Sequence, residues 1–244
     1  MKKKNEESFS FTWDNLRSYY QEILHQGYKV ITCEDYVAYK TEPITYNKLV
    51  VNRVDVDVSI KKALILATIF NDLKIKGSFF IRLHANEYNP FSFENFRCLK
   101  VIKEMGHEIG YHSEIVEQSK IWNEDAEDCL QRDIDILNRM LGINIKGVAS
   151  HGGMTGLNNL DFWKNRKPQD FDLLYEAYDQ EPAFDLMNNS FYISDSCWTY
   201  WKCYDKGTLI ENDRRNLSEH LVDNHPLIYL LVHPDTYYEN HIYE

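Results

Sequence analysis

Residues 47–63 read NKLVVNRVDVDVSIKKA, and this stretch decides the fold. Its β-branched residues predict a strand that ends in two aspartates. Because alternate residues of a strand share a face, Arg53, Asp55 and Asp57 point the same way, with the carboxylates roughly 6–7 Å apart. Carboxylates this close repel each other when they are buried. Either Arg53, a metal ion or both offset this repulsion, or the acids are solvated at a strand end with one salt bridge.

The composition restricts the class of protein. The chain has 244 residues and a formal net charge of −11, which argues against nucleic acid or an anionic membrane as the main partner. No apolar run is long enough for a membrane helix, and the lysines at positions 2–4 do not precede the apolar segment of a secretory signal. Five irregularly spaced cysteines predict neither a disulfide framework nor a zinc knuckle. We therefore expect a cytoplasmic protein.

Strand and helix patterns alternate along the chain with short connections. Helices are predicted after Thr12 or Asp14, after Ser59, and over residues 92–106 and 123–142. The alternation is typical of parallel βαβ units, and six to eight strands favour a closed or nearly closed (β/α) barrel in one domain over residues 1–244. Predicted strands cover residues 28–34, 48–59, 77–83, 107–113, 146–151, 172–177, 190–196 and 227–234.

Each of six predicted strands ends in an aspartate or a histidine. In a barrel the carboxyl ends of the strands meet at one mouth, where the active site collects. One histidine alone is more often a structural residue, but six such ends in equivalent positions predict a functional site. The residues are Asp55 with Asp57, His84, His112, His151, Asp195 and His233.

Three motifs, RVDVDVS (residues 53–59), GHEIGYHSE (106–114) and LLVHPD (230–235), resemble those of the polysaccharide deacetylase superfamily, also called NodB-homology or carbohydrate esterase family 4. The likeness is greatest to a divergent bacterial branch associated with O-antigen and capsule biosynthesis, and it extends from about Phe9 to the C-terminus. The resemblance implies a distorted (β/α) barrel of about seven parallel strands. It also implies hydrolysis of an N-acetyl or O-acetyl group on a sugar.

The resemblance also implies roles for individual residues. Asp55 corresponds to the general base and His233 to the general acid. Asp57 and His112 correspond to ligands of a divalent metal, with zinc expected and cobalt, nickel or manganese as alternatives. The charge of the metal would offset the repulsion between the two aspartates and keep Asp55 ionised.

The sequence departs from the family pattern at the second metal histidine. Members of the family usually carry it four residues after the first, where this chain has Val116. A catalytic zinc site normally has three protein ligands. The third ligand is therefore Glu114 or His151, or the metal is absent. We expect His151, because it follows a neighbouring predicted strand.

Further residues are predicted to bind the substrate, a small molecule or a glycan: Arg53, His84, Glu114, Asp195, Trp198 and Trp201. The two tryptophans suit a sugar-stacking platform, although packing in the core or in a loop explains them equally well. Two other functions remain open at this point. One is a degenerate member that binds a glycan without hydrolysing it, and the other is a hydrolase of a different amide or ester. The sequence predicts no oligomeric state.

Overall fold

The structure, a computed structural model, describes residues 10–41, 46–153, 155–179 and 184–244. The N-terminal lysines lie outside these ranges. Within the ranges no helix is long and apolar enough to cross a membrane. The α-helices are α1 (Trp13–His25), α2 (Cys33–Thr41), α3 (Ile60–Asp72), α4 (Phe93–Glu104), α5 (Ile115–Trp122), α6 (Ala126–Leu141) and α7 (Leu217–Leu221). The strands are β1 (Lys29–Ile31), β2 (Leu49–Val56), β3 (Ser78–Ile81), β4 (Glu108–Ser113), β5 (Gly147–Ser150), β6 (Tyr175–Glu176), β7 (Phe191–Ser194), β8 (Lys202–Asp205), β9 (Thr208–Leu209) and β10 (Leu227–Val232).

The strands form one largely parallel sheet in the order β6-β5-β4-β3-β2-β10-β7-β8-β9, with β1 also paired to β2. Pairing is parallel from β6 to β7, and β8 and β9 extend the sheet as antiparallel strands. The prediction of a mixed α/β fold with a parallel sheet is confirmed, and seven parallel strands lie on this path. Among the described residues the pairings form an open path, in which no ladder joins its two ends.

The central strand β2 fixes the position of the predicted site. All eight of its residues, from Leu49 to Val56, are buried. Ser59 then caps α3 by accepting a hydrogen bond from the Lys62 N–H, as predicted. The last strand, β10, pairs with β2 in parallel, so that Val232 lies opposite Val54. The residues that follow β2 and β10 therefore lie side by side at one edge of the sheet.

Several predicted elements differ from the structure. β3 ends at Ile81, before His84, and the stretch after β4 forms a helix, α5, that the sequence pattern did not indicate. This helix is short and its N-cap side chain makes no capping hydrogen bond, so the usual start signal is missing. The weakly periodic region from residue 152 contains two 3-10 helices, Asn159–Asn165 and Pro168–Phe171.

The charge-rich helix α6 contributes a polar group to the interior of the protein. Asp133 on this helix is fully buried. Its carboxylate accepts a hydrogen bond of 2.6 Å from the Tyr111 hydroxyl and lies 2.8 Å from His84 Nε2. The polar pattern of α6 concealed this residue because one buried acid in a run of exposed acids has no periodic signature.

Candidate metal centre and active site

The ends of the parallel strands enclose a cavity of about 260 Å³ at the edge of the sheet where β2 and β10 end. Six of the predicted site residues line it together, and four further lining residues were not predicted. The predicted ones are Asp55, Asp57, His112, His151, Trp198 and His233, and the others are Gly152, Tyr178, Ser196 and Leu231.

Asp55 is held by a two-point ion pair with Arg53 from its own strand. Arg53 Nε lies 2.8 Å from Asp55 Oδ1, and Arg53 Nη2 lies 2.7 Å from Oδ2. Arg53 is fully buried, and its guanidinium packs 4.4 Å from the centre of the Tyr178 ring. Burial raises the pKa of Asp55, but the charge and hydrogen bonds of Arg53, together with the charges of His112 and His233, bring the pKa below its ordinary value. Asp55 is therefore a carboxylate at neutral pH.

Asp57 faces a ring nitrogen of His112. His112 Nδ1 lies 2.8 Å from the carbonyl oxygen of Ala149, which can only accept, so Nδ1 carries a proton. The other nitrogen, Nε2, lies 3.2 Å from Asp57 Oδ1 and 3.4 Å from Asp55 Oδ2. A lone pair on Nε2 and a carboxylate oxygen repel each other at this distance unless a proton or a metal ion lies between them. Asp57 Oδ1 is buried and has no hydrogen-bond partner among the described residues.

The pKa values of Asp57 and His112 reflect the opposite charges of the two residues. Burial raises the pKa of Asp57, but the close approach and charge of His112, together with the charges of His233 and His151, bring the pKa well below its ordinary value. Burial lowers the pKa of His112, while the charges of Asp55 and Asp57 raise it by more. The site therefore attracts a cation to the space beside Asp57.

His151 completes a set of three possible ligands. Its Nε2 lies 3.9 Å from Asp57 Oδ1, and its Nδ1 lies 3.3 Å from Glu114 Oε1. One donor atom each from Asp57, His112 and His151 lies within 4.8 Å of the others. Ligands about 2.0–2.2 Å from a tetrahedral zinc ion are roughly 3.3–3.6 Å apart, so this set fits such an ion with small adjustments.

His233 forms a pair with Asp195. His233 Nδ1 lies 2.6 Å from Asp195 Oδ1, and the main-chain N–H of His233 also donates to this carboxylate. His233 Nε2 lies 3.9 Å from Asp57 Oδ2, on the side of the cavity. Burial lowers the pKa of His233, but the charge and hydrogen bond of Asp195 raise it to about 9. The imidazole is therefore protonated at neutral pH and can donate a proton from Nε2.

Four residues predicted to bind the substrate have other contacts in the structure. Arg53 and Asp195 are fully buried behind Asp55 and His233, which they position. Glu114 is buried between His151 and Arg82. His84 lies in a separate cavity, where it contacts Asp133 and the Trp122 ring. For His84, Glu114 and Asp195 the sequence indicated a place near a strand end but not the direction of the side chain, whereas it already placed Arg53 on the same face as Asp55.

The two tryptophans have different environments. Trp201 is 3% exposed and packs against the rings of Phe11 and Tyr19, so its prediction as a stacking surface is wrong. Trp198 is 42% exposed and lines the cavity. Its φ angle of 61° is in the left-handed region, which is unusual for a bulky residue and common at functional sites. Of the two tryptophans, Trp198 is thus the one that lines the cavity.

Two solved structures are similar to this chain at low sequence identity. No protein-family model matches the sequence, and no curated protein matches it significantly. One similar solved structure is the Streptococcus pyogenes deacetylase PplD in complex with acetate, at 18% identity and a TM-score of 0.45, over 57% of this chain and 62% of that one. Another is a mutant of a CE4 family pseudoenzyme with restored enzymatic activity, at 15% identity and a TM-score of 0.44, over 77% of this chain and 57% of that one. The chain thus spans less than two thirds of the length of each.

Substitution of the two tryptophans should separate packing from ligand contact. Trp201→Ala removes a buried ring and should lower the free energy of unfolding by about 3–5 kcal/mol. Trp198→Ala, its matched control, should change that free energy by less than about 0.5 kcal/mol. Urea denaturation followed by circular dichroism measures both values. Equal losses in the two variants would contradict the assignment.

Removal of Arg53 should destabilise the protein because it leaves the Asp55 carboxylate buried without its partner. Arg53→Met should cost about 3–5 kcal/mol of unfolding free energy. The double variant Arg53→Met/Asp55→Leu removes both charges and should recover most of this loss. Chemical denaturation of the three proteins tests this coupling, and a double variant as unstable as the single one would show that the charge of Asp55 is not the cause.

Proposed function

We propose that the protein is a metal-dependent hydrolase that removes an N- or O-acetyl group from a sugar. The observation that carries the proposal is the arrangement around Asp57 Oδ1, which faces the Nε2 atoms of His112 and His151. One carboxylate and two imidazoles are a ligand set found in catalytic zinc sites. A second carboxylate, Asp55, and the His233 imidazole line the same cavity. The resemblance of the motifs to those of polysaccharide deacetylases supports the same function.

A divalent ion fits the three donors, and Asp57, His112 and His151 would hold it. Zinc suits the nitrogen and oxygen donors, with cobalt, nickel or manganese as alternatives. When bound, the ion polarises the acyl carbonyl and lowers the pKa of water at the site. Asp55 is left out of the ligand set because Arg53 already binds both of its oxygens.

Asp55 is the general base in this proposal. It takes a proton from the attacking water while the water oxygen forms a bond to the acyl carbon. The ion pair with Arg53 keeps Asp55 ionised, but a low pKa also makes it a weak proton acceptor. The reaction therefore needs water that is more acidic than bulk water, and Asp57, two residues away, would help to hold the ion that makes it so.

His233 is the general acid. Its Nε2 proton goes to the nitrogen or oxygen of the sugar as the bond to the acyl carbon breaks, so acetate and the free amine or hydroxyl are released. Asp195 holds the ring by Nδ1 and leaves Nε2 directed to the side where Asp57 lies. The sign of the pKa shift suits this role, because an imidazole with a pKa of about 9 carries its proton at neutral pH.

The cavity suits a small acetylated sugar, either free or at the end of a glycan. Its volume of about 260 Å³ is below the range of drug-sized ligand sites, about 300–1,000 Å³. The exposed ring of Trp198 provides an aromatic face for the apolar side of a pyranose. A role in the biosynthesis of O-antigen or capsule glycans, which the motifs suggest, is part of the proposal.

Variants of Asp55, Asp57 and His233 test the three roles. Asp55→Asn should abolish release of acetate from acetylated amino sugars and leave the metal content nearly unchanged. Asp57→Ala should lose both activity and metal. His233→Ala should slow turnover about 10²–10⁴-fold and retain the metal, as expected for a general acid.

The assay needs two measurements on each purified protein, acetate release in the presence of added Zn²⁺ and metal content by elemental analysis. Asp161→Asn, a surface change outside the cavity, is a control that should retain both. Full activity of Asp55→Asn would refute its role as base. If the wild-type protein holds metal but releases no acetate from a broad panel of acetylated sugars, the proposal of a deacetylase fails and a glycan-binding protein becomes the better account.

Asp195→Asn should change the pH dependence of the reaction. The substitution removes the charge that raises the pKa of His233, and burial then lowers this pKa. The protonated acid is thus lost at lower pH, so the alkaline limb of the profile of kcat/KM against pH should move to lower pH. Asp213→Asn, which removes an aspartate that does not line the cavity, is the control and should leave the profile unchanged. An alkaline limb in the same place for wild type and Asp195→Asn would contradict the role of the pair.

A further inference from the structure

Glu114 and Arg82 contact residues of the candidate metal centre but do not line its cavity. Arg82 is 5% exposed and Glu114 is 7% exposed. Arg82 Nη2 lies 2.8 Å from Glu114 Oε1, and the same Glu114 oxygen lies 3.3 Å from His151 Nδ1, a buried nitrogen that has no hydrogen-bond partner of good geometry among the described residues. Glu114 is thus placed between a buried cation and the ring nitrogen of His151 that points away from Asp57.

Arg82 also contacts the other side of the centre. Its Nη1 donates a hydrogen bond of 2.9 Å to the main-chain carbonyl of Asp57. The main chain of Arg82 is fixed in turn by Tyr88, whose hydroxyl accepts from the Arg82 N–H at 2.9 Å and donates to the Val56 carbonyl at 2.8 Å. One guanidinium therefore links the chain at Asp57 with the carboxylate that faces His151.

The main chain of His151 is held from the start of α5. Asn159 Nδ2 donates 3.1 Å to the His151 carbonyl, and Asn159 Oδ1 accepts from the N–H groups of Val116 and Glu117 at 3.0 and 3.2 Å. The position where the related motif places its second histidine is thus occupied by Val116, whose N–H group helps to fix His151 instead.

We propose that Glu114 and Arg82 are positioning residues of the metal centre, which fix His151 as the third ligand in place of the histidine that Val116 replaces. A small rotation of the His151 ring would let Glu114, 3.3 Å away, accept a hydrogen bond from Nδ1 and so leave the Nε2 lone pair for the ion. Arg82 holds Glu114 in this position and binds the Asp57 carbonyl. Carboxylates that accept a hydrogen bond from a ligating histidine orient the ring and make it a better ligand. This inference rests on the proposed metal centre.

Glu114 could instead bind an ion directly, since Glu114, Glu117 and His151 also lie close together. The contacts favour the positioning role. Glu117 accepts hydrogen bonds from the Thr155 N–H and hydroxyl, both at 2.8 Å, and from Asn159 Nδ2 at 2.9 Å. Both of its oxygens are thus used in fixing the chain that follows β5, and Arg82 adds a positive charge beside Glu114.

Titration of the metal-free protein with Co²⁺ tests the proposal, because the visible bands of the ion report both its affinity and its ligand geometry. Glu114→Ala should weaken Co²⁺ binding about 10–100-fold and alter the bands, as for other partners of ligating histidines. Arg82→Ala should weaken binding in the same range, and Arg82→Lys should restore part of the loss because it retains the charge but not the two-sided contact.

A double-mutant cycle distinguishes positioning from general stability. If Glu114 acts through His151, Glu114→Ala should have little further effect on Co²⁺ affinity in a protein that already carries His151→Ala. Equal and additive losses in the two backgrounds would overturn the proposal. Glu87→Gln is the matched control, since Glu87 is the other acid paired with Arg82 at 3.3 Å but contacts neither Asp57 nor His151 in the structure. Its Co²⁺ affinity should equal that of the wild type.

Two outcomes separate this inference from the proposed function. If Co²⁺ added to the wild-type protein keeps the visible bands of the free ion, it is not bound, and both the metal centre and the positioning role fail. If wild-type and Glu114→Ala proteins bind Co²⁺ with equal affinity and equal bands, the positioning role alone fails. Thermal unfolding by circular dichroism is recorded for each variant, and Glu114→Gln, which keeps the side-chain volume, replaces Glu114→Ala in the cycle if the latter does not fold.

Discussion

The two aspartates at the end of β2 are the constraint on which the site depends. Asp55 and Asp57 are two residues apart at the edge of a parallel sheet, and each needs its own compensation. For Asp55 the compensation is local, because Arg53 lies on the same face of the same strand and binds both carboxylate oxygens. For Asp57 it comes from other strands, through His112 and His151. The different partners give two adjacent carboxylates different chemical properties.

The three histidines of the cavity have the same orientation. Each has its Nδ1 near an acceptor outside the cavity and its Nε2 on the side of Asp57. The acceptors are the Ala149 carbonyl for His112, Glu114 for His151 and Asp195 for His233. For His112 the carbonyl fixes the proton on Nδ1, so that Nε2 is the nitrogen that faces Asp57. The difference lies in the acceptor, since a carboxylate that makes a short contact with His233 favours its charged form, as an acid requires.

Much of the site could be predicted from the sequence because parallel strands bring their carboxyl ends together. The spacing of Arg53, Asp55 and Asp57 already placed them on one face, and Ser59 marked the start of α3. The adjacency of β2 and β10 brought His233 to the same edge of the sheet. These features depend on local pattern and on topology, both of which can be read from a sequence.

The rest depends on the direction and burial of single side chains, which no periodicity records. Trp198 and Trp201 have similar sequence surroundings, yet one lines the cavity and the other is in the core. His84 and Asp195 lie near the ends of predicted strands, but neither side chain lines the cavity. The His84 ring contacts Asp133, and the Asp195 carboxylate contacts His233 from behind. Arg82 gave no signal at all, because its role arises from contacts with residues far away in the chain.

The position of a bound metal tests the account most directly. Anomalous X-ray scattering from crystals grown with Zn²⁺ should show an ion about 2.0–2.2 Å from a carboxylate oxygen of Asp57 and from Nε2 of both His112 and His151. Asp55 should remain paired with Arg53. An ion bound without His151, or no ion beside Asp57 in crystals saturated with Zn²⁺, would contradict the account.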